Sequence, residues 1–261
     1  MTLNAEAQAA LDEVLARDDP SILGIVLSGS AARAGMATER SDVDVFVVLT
    51  DEAEAGRQSI KTPAIDEIPK SMADVEDVEP WGSEYYGYRW GFAYAQVLRD
   101  DTGGRITEAV RRQGVHTVDE QRRMLLDGDQ LDGYINLAYR ALKSDRDGRR
   151  LESRLDAAES VHWWLDVVFT LEGRVRPYNK YLAWALREHP LGVAEWSAER
   201  LLPQVEAVLD GDADAVRAAY AVVERECLAW DERHGGHDLQ ELIEGWGAEL
   251  AVLRGTGGRL P

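Results

Sequence analysis

Cysteine is almost absent from this chain: Cys227 is the single one in 261 residues. That excludes an internal disulfide framework and any zinc site built on several thiolates. Cys227 sits in AVVERECLAW, where apolar residues recur at helical spacing, and reads as a small core residue. Positive charge is scarce too, with 29 Lys and Arg against 48 Asp and Glu and a formal net charge of −19. Long polynucleotides are bound by cations that neutralise phosphates, so nucleic acid is not an expected partner. Long apolar runs are missing as well. None approaches the roughly 18 residues that a membrane span needs, and no membrane association is expected. The first twenty residues show no basic stretch followed by an apolar core, so no secretory leader is read in them and the expected location is the cytoplasm. Nor is there a P-loop or a nucleophile elbow, and the five histidines, His234 and His237 of HGGH included, lack partners at metal spacing. GTGGRL near the C-terminus lacks the strand and helix of a dinucleotide fingerprint and reads as a loose tail.

The acidity itself assigns little. An acidic field attracts small cations and raises their encounter rate. A proteome acidic throughout would give the same balance.

With 45% hydrophobic and 30% charged residues, the chain has the composition of a folded protein large enough for one domain or two. Residues 4–17 have helical spacing, with Leu11, Val14 and Leu15 on one face. A buried strand follows over Ile22 to Leu27, ending in Gly-Ser, and a second over Asp42 to Leu49 that is apolar on both faces past its polar start. TPAIDEIPKS reads as a weaker strand, SMADVEDV as a short helix, and FAYAQVL (92–98) as a further strand closed by DDTGG. From about residue 115 every segment shows helical spacing, interrupted by Gly, Pro or acidic cap candidates. The expected fold class is therefore α+β: a mixed sheet with flanking helices over 1–115, then an all-α domain over 116–261.

The chemistry concentrates in SGSAARAGMATERSDVD, residues 28–44. Residues i and i+2 of a strand point the same way, so Asp42 and Asp44 project together. Two carboxylates side by side repel unless a cation lies between them, and hard ions such as magnesium take such oxygens together with substrate phosphates. A Gly-Ser turn leading into a helix over AARAGMAT would offer backbone N–H groups and a hydroxyl to phosphate oxygens. An isolated D-x-D pair is a common strand-edge feature, and GSxxR alone says little. Their order and spacing, each attached to an apolar strand, is the specific signal.

Gly29-Ser30, eleven intervening residues, and Asp42-Val43-Asp44 resemble the signature of the nucleotidyltransferase superfamily that includes DNA polymerase β. The order of an α/β half before a helical half resembles the bacterial aminoglycoside and other antibiotic nucleotidyltransferases within it. The resemblance implies transfer of a nucleoside monophosphate, often AMP from ATP, to a hydroxyl with release of pyrophosphate. It also implies that Gly29, Ser30 and Arg33 hold the triphosphate and that Asp42 and Asp44 bind two magnesium ions. A third carboxylate, ligand or base, is expected on a following strand. Asp66 is the first choice, with Glu67 on the opposite face and Asp100 at the end of the next strand as alternatives. If Gln96 held that position, catalysis would be lost.

In the helical half, EGRVRPYNKYL groups Arg174, Arg176 and Lys180 in an otherwise acidic chain. Arg176 and Lys180 are candidates for the triphosphate; the alternative is ion pairing to neighbours such as Glu172 and Glu188. Asp156, Glu159 and Asp166 lie three and seven residues apart, so one helix face can carry all three toward a cationic acceptor. Trp163, Trp164 and Trp184 read as packing residues. The expected partners are thus a small-molecule acceptor and a nucleotide, and the chain a monomer or homodimer. Two other readings stay open: a protein acceptor, and a catalytically silent nucleotide-binding regulatory domain.

Overall fold

A computed structural model describes residues 3–256 of the protein. The tail reading of GTGGRL falls outside the described residues from position 257 onward. The chain divides into two compact units, the first ending at Val115 and the second beginning at His116.

Unit one is built on a five-stranded mixed sheet. After helix α1 (Ala5–Leu15) come β1 (Ile22–Leu27), β2 (Val43–Leu49), a turn of helix α2 (Asp51–Glu54), β3 (Ile60–Lys61), β4 (Ile65–Ser71), α3 (Met72–Glu76), α4 (Arg89–Phe92), β5 (Gln96–Asp100) and α5 (Arg105–Gln113). The strand order is β3-β4-β2-β1-β5. Only β2 and β4 run parallel; the other neighbours are antiparallel. Alternation along β2 explains why it is covered on both faces. Val43, Val45, Val47 and Leu49 pack with Ala7, Leu11 and Val14 of α1. Phe46 and Val48 pack on the other side with Met72 and Val75 of α3 and Ile106, Ala109 and Val110 of α5. Asn4 caps α1 and Ser71 caps α3 in a capping box with Asp74, so both helices start where the side chains dictate.

Three expectations for this half need correction. Residues 92–98 are not one strand: Phe92 ends a helical turn and stacks on Phe46 at 4.6 Å, Tyr94 takes a left-handed φ of 61°, and the strand begins at Gln96. The apolar run FAYA passes through a turn, with Phe92 and Ala93 buried and Tyr94 and Ala95 half-buried, which periodicity alone cannot tell from a strand. No helix forms over 31–38; the segment makes successive turns, with Gly35 at φ 78°. The second strand starts at Val43, leaving Asp42 in the incoming loop.

Unit two is all-α: α6 (Val118–Leu125), α7 (Gln130–Arg146), α8 (Arg150–Leu171), α9 (Leu182–Glu188), α10 (Ala198–Leu209), α11 (Ala213–His234), α12 (Asp238–Gly245) and α13 (Leu250–Leu253). Its core gathers Tyr134, Trp164, Trp196, Tyr220, Cys227 and Trp230 among aliphatic residues. Burial pushes the Cys227 thiol far up, with the carboxylates around it acting the same way, so it packs as a neutral small residue. Among the described residues no helix is long and apolar enough to cross a membrane.

Tyr134 is fully buried and its hydroxyl has no hydrogen-bond partner among the described residues. Removing a donor that already lacks an acceptor forfeits no bond. Tyr134→Phe should therefore leave unfolding stability, measured by denaturant titration, within about 1 kcal/mol of the parent. Trp164→Ala, which leaves a void in the same core, should cost about 3–5 kcal/mol.

Candidate functional site

The loop that leaves β1 turns directly onto the start of β2. Ser28 N donates to Asp44 O at 2.8 Å, continuing the β1–β2 ladder by one rung. Gly29 then adopts φ 58°, and a Cβ placed there would lie 1.7 Å from Asp44 Oδ2. Only glycine lets the loop lie against that carboxylate. The backbone N–H groups of Gly29, Ser30 and Ala31 make no hydrogen bond within the described residues, so consecutive donors stand beside Asp44. Such runs of N–H groups around a left-handed residue make anion-binding concavities. The loop thus offers phosphate donors without the helix that the sequence suggested.

Arg33 takes a different role from the expected one. Its side chain is 1% exposed and lies over the Trp90 ring, 4.8 Å from the centroid. The guanidinium donates to Gly29 O, to Trp90 O at 3.2 Å and to Ala93 O at 3.0 Å. It therefore anchors the loop from behind instead of holding triphosphate: a buried cation keeps its hydrogen bonds where it has them.

Asp42 and Asp44 lie at the N-terminal end of β2, and in the parallel register Asp44 stands opposite Asp66 of β4. Paired residues share a face, so these carboxylates project from the same end of the sheet. Lys61 of β3 is opposite Asp66 on its other side, and its Nζ sits 2.7 Å from Asp66 Oδ2. The hydrogen bond to Asp66 is the main reason the Lys61 ammonium holds its proton more tightly than usual; Asp42 and Asp44 add to it from farther away. One ammonium thus feels all three carboxylates. Sequence reasoning missed Lys61 because a two-residue strand has no periodicity. The signal was Thr62-Pro63, a turn between two short runs, which folds Lys61 back onto Asp66.

The alternatives to Asp66 are otherwise engaged. Glu67 points to the α1 face, 3% exposed, with Arg17 at 2.7 Å and Arg57 at 3.7 Å. Asp100 caps its turn: burial works against its charge, but hydrogen bonds from Thr102 and Thr107 prevail and hold its carboxyl well below the usual range. Gln96 is opposite Leu27 on the α1 face and donates to Ala32 O at 2.6 Å, away from Asp44.

In unit two, three of the five candidate charges, Arg176, Asp166 and Asp156, are held in local ion pairs. Arg176 contacts Asp166 at 3.1 Å, Asn179 at 2.8 Å and His162 at 2.6 Å, and His162 itself lies 3.2 Å from Asp166. Asp156 is buried and paired with Arg140 at 3.0 Å. Burial raises its carboxyl, with Arg140 opposing and Glu159 adding to the rise. Glu159 is exposed. The three acids therefore form no common open face, and Arg176 is a local partner of Asp166. Lys180 is exposed, its Nζ 4.7 Å from the Tyr181 ring. Trp164 and Trp184 are buried in the packing, and Trp163 lies half-buried against Gly133.

Among the described residues no three Asp, Glu, His or Cys side chains stand at metal-holding spacing; Asp66 is held by Lys61 instead. Compared with protein-family models and with curated proteins, the sequence matches none.

Gly29→Ala should lower unfolding stability by about 1–3 kcal/mol, because it combines a left-handed backbone with a direct overlap. Asp100 has its folded-state carboxyl below its unfolded value. It therefore adds stability above the ordinary carboxylate range and loses it as pH falls. Asp100→Asn should flatten the loss of stability seen on acidification below about pH 5.

Proposed function

We propose that unit one catalyses magnesium-dependent transfer of a nucleoside monophosphate, from ATP or another nucleoside triphosphate, to a hydroxyl of a small cationic acceptor. The observation that carries the reading is the meeting of the Gly29-Ser30 loop with Asp44, beside Asp42 and opposite Asp66, at one end of the sheet. Phosphate donors stand beside a carboxylate there, the pairing of groups that nucleotidyl transfer through a metal-bound triphosphate uses. The residues fit a divalent ion chemically: all are carboxylates, and one of them, Asp66, already holds a cation, the Lys61 ammonium. Asp42 and Asp44 would hold magnesium, which would supply charge neutralisation for the phosphates.

The protein's own groups do the rest. The N–H groups of Gly29, Ser30 and Ala31 and the Ser30 hydroxyl donate to phosphate oxygens. Asp66 takes the proton of the acceptor hydroxyl as its oxygen bonds to the α-phosphorus. The bond from that phosphorus to the bridging oxygen breaks, and pyrophosphate leaves. The Lys61 ammonium occupies Asp66 Oδ2 at 2.7 Å, so Lys61 must withdraw before that oxygen can reach the proton of the acceptor. The same pairing favours a second reading, a silent nucleotide-binding regulatory domain in which Lys61 never leaves.

Pyrophosphate release with ATP, magnesium and a panel of hydroxylated amines should occur with at least one acceptor. Asp42→Asn/Asp44→Asn should abolish it with thermal unfolding unchanged, and Asp66→Asn should lower kcat by about 100-fold or more. Magnesium-dependent ATP binding without release, for every small acceptor and for cell extract, would move the assignment to the silent domain. Release with extract alone would make the acceptor a protein.

A further inference from the structure

Unit one contains a pocket of about 470 Å³ that the carboxylate site does not use. It opens on the same face of the sheet. Asp66, Ile68 and Lys70 alternate along β4 to one side, and Lys70 lines the pocket. Its apolar floor is Phe92, stacked on Phe46, which in turn lies two residues along β2 from Asp44.

Two tyrosines wall this pocket, Tyr85 and Tyr88, 52% and 64% exposed, with ring centroids 5.9 Å apart. Exposed aromatic faces on a concave surface are the means by which proteins hold organic cations. The charges agree. Asp74, Asp77 and Glu79 line the pocket against Lys70 and Arg89, leaving one net negative charge. Arg89 is buried, its guanidinium donating to the carbonyls of Gln113, Glu79 and Val115, so it shapes the wall. Asp74 serves the α3 capping box and Glu79 accepts from Ser83. The Asp77 carboxylate has no hydrogen-bond or ion-pair partner among the described residues, nor has the Lys70 ammonium. A neutral ring would use the tyrosines and leave Asp77 unmatched; a cation uses both.

We propose that this pocket binds a small organic monocation, its charge on Asp77 and its body against Tyr85 and Tyr88. The site stands on the pocket alone. Its use as an acceptor subsite rests on the nucleotidyl-transfer reading above. Four residues of strand separate Lys70 from Asp66, about 13 Å. An acceptor seated here and reaching Asp66 would therefore be elongated, and Lys70 would face its hydroxyls on the way.

The test is calorimetric titration of the whole protein with choline, glucosamine and adenosine, without magnesium or nucleotide. At least one of the two cations should bind, and Tyr88→Ala and Asp77→Asn should each weaken it by tenfold or more. Both residues are exposed, so thermal unfolding should not change. Two results would overturn the proposal: no binding of either cation, or binding to the Tyr88→Ala/Asp77→Asn double variant as tight as to the parent. Adenosine binding in place of the cations would also overturn it and make this a base pocket. Magnesium-dependent ATP binding, titrated separately and abolished by Asp44→Asn, reports on the carboxylate site, so either assignment can fail while the other holds.

Discussion

The loop after β1 is held by one buried guanidinium. Arg33 reaches past its own turn to the carbonyl of Gly29 and on to those of Trp90 and Ala93, tying segments far apart in sequence to one point. A cation so deeply buried is stable only while those acceptors stay in place. The position of Gly29, the contact of the loop with Asp44 and the helical turn carrying Trp90 and Phe92 are therefore coupled. Unpaired N–H groups at 29–31 follow from the same constraint, since the loop is pulled inward before it can wind into a helix.

Electrostatic self-sufficiency distinguishes the two units. In unit two, Arg176 with Asp166 and Arg140 with Asp156 close their charges locally, and partly exposed pairs of that kind contribute little beyond orientation. At the end of the sheet in unit one, three carboxylates share the influence of one lysine on a flexible stem.

Much of this could be read from residues. Val43 to Leu49 is apolar on both faces and proved to be a covered strand, and the Gly-Ser and D-x-D signals do lie together. What periodicity could not give was pairing. Asp66 gains its place from a parallel register across an intervening segment, and Lys61 from a hairpin too short to show a pattern. Arg33 looked available because a sequence shows charge but not burial. The helix carboxylates 156, 159 and 166 looked like one face because spacing ignores the arginine that arrives from a neighbouring helix. The pocket at Tyr85 and Tyr88 went unnoticed because it is assembled from a strand end, three separate helices and the loop between α3 and α4, with no shared periodicity.

The brevity of β3 has a consequence beyond its lysine. It is an outer strand of the sheet, two residues long, and both are exposed. An outer strand with a full row of unpaired amides invites another chain to pair with it; a stub bearing an ammonium does not. An apolar residue in place of Lys61 would take the charge off that rim and leave the stub easier for another chain to pair with.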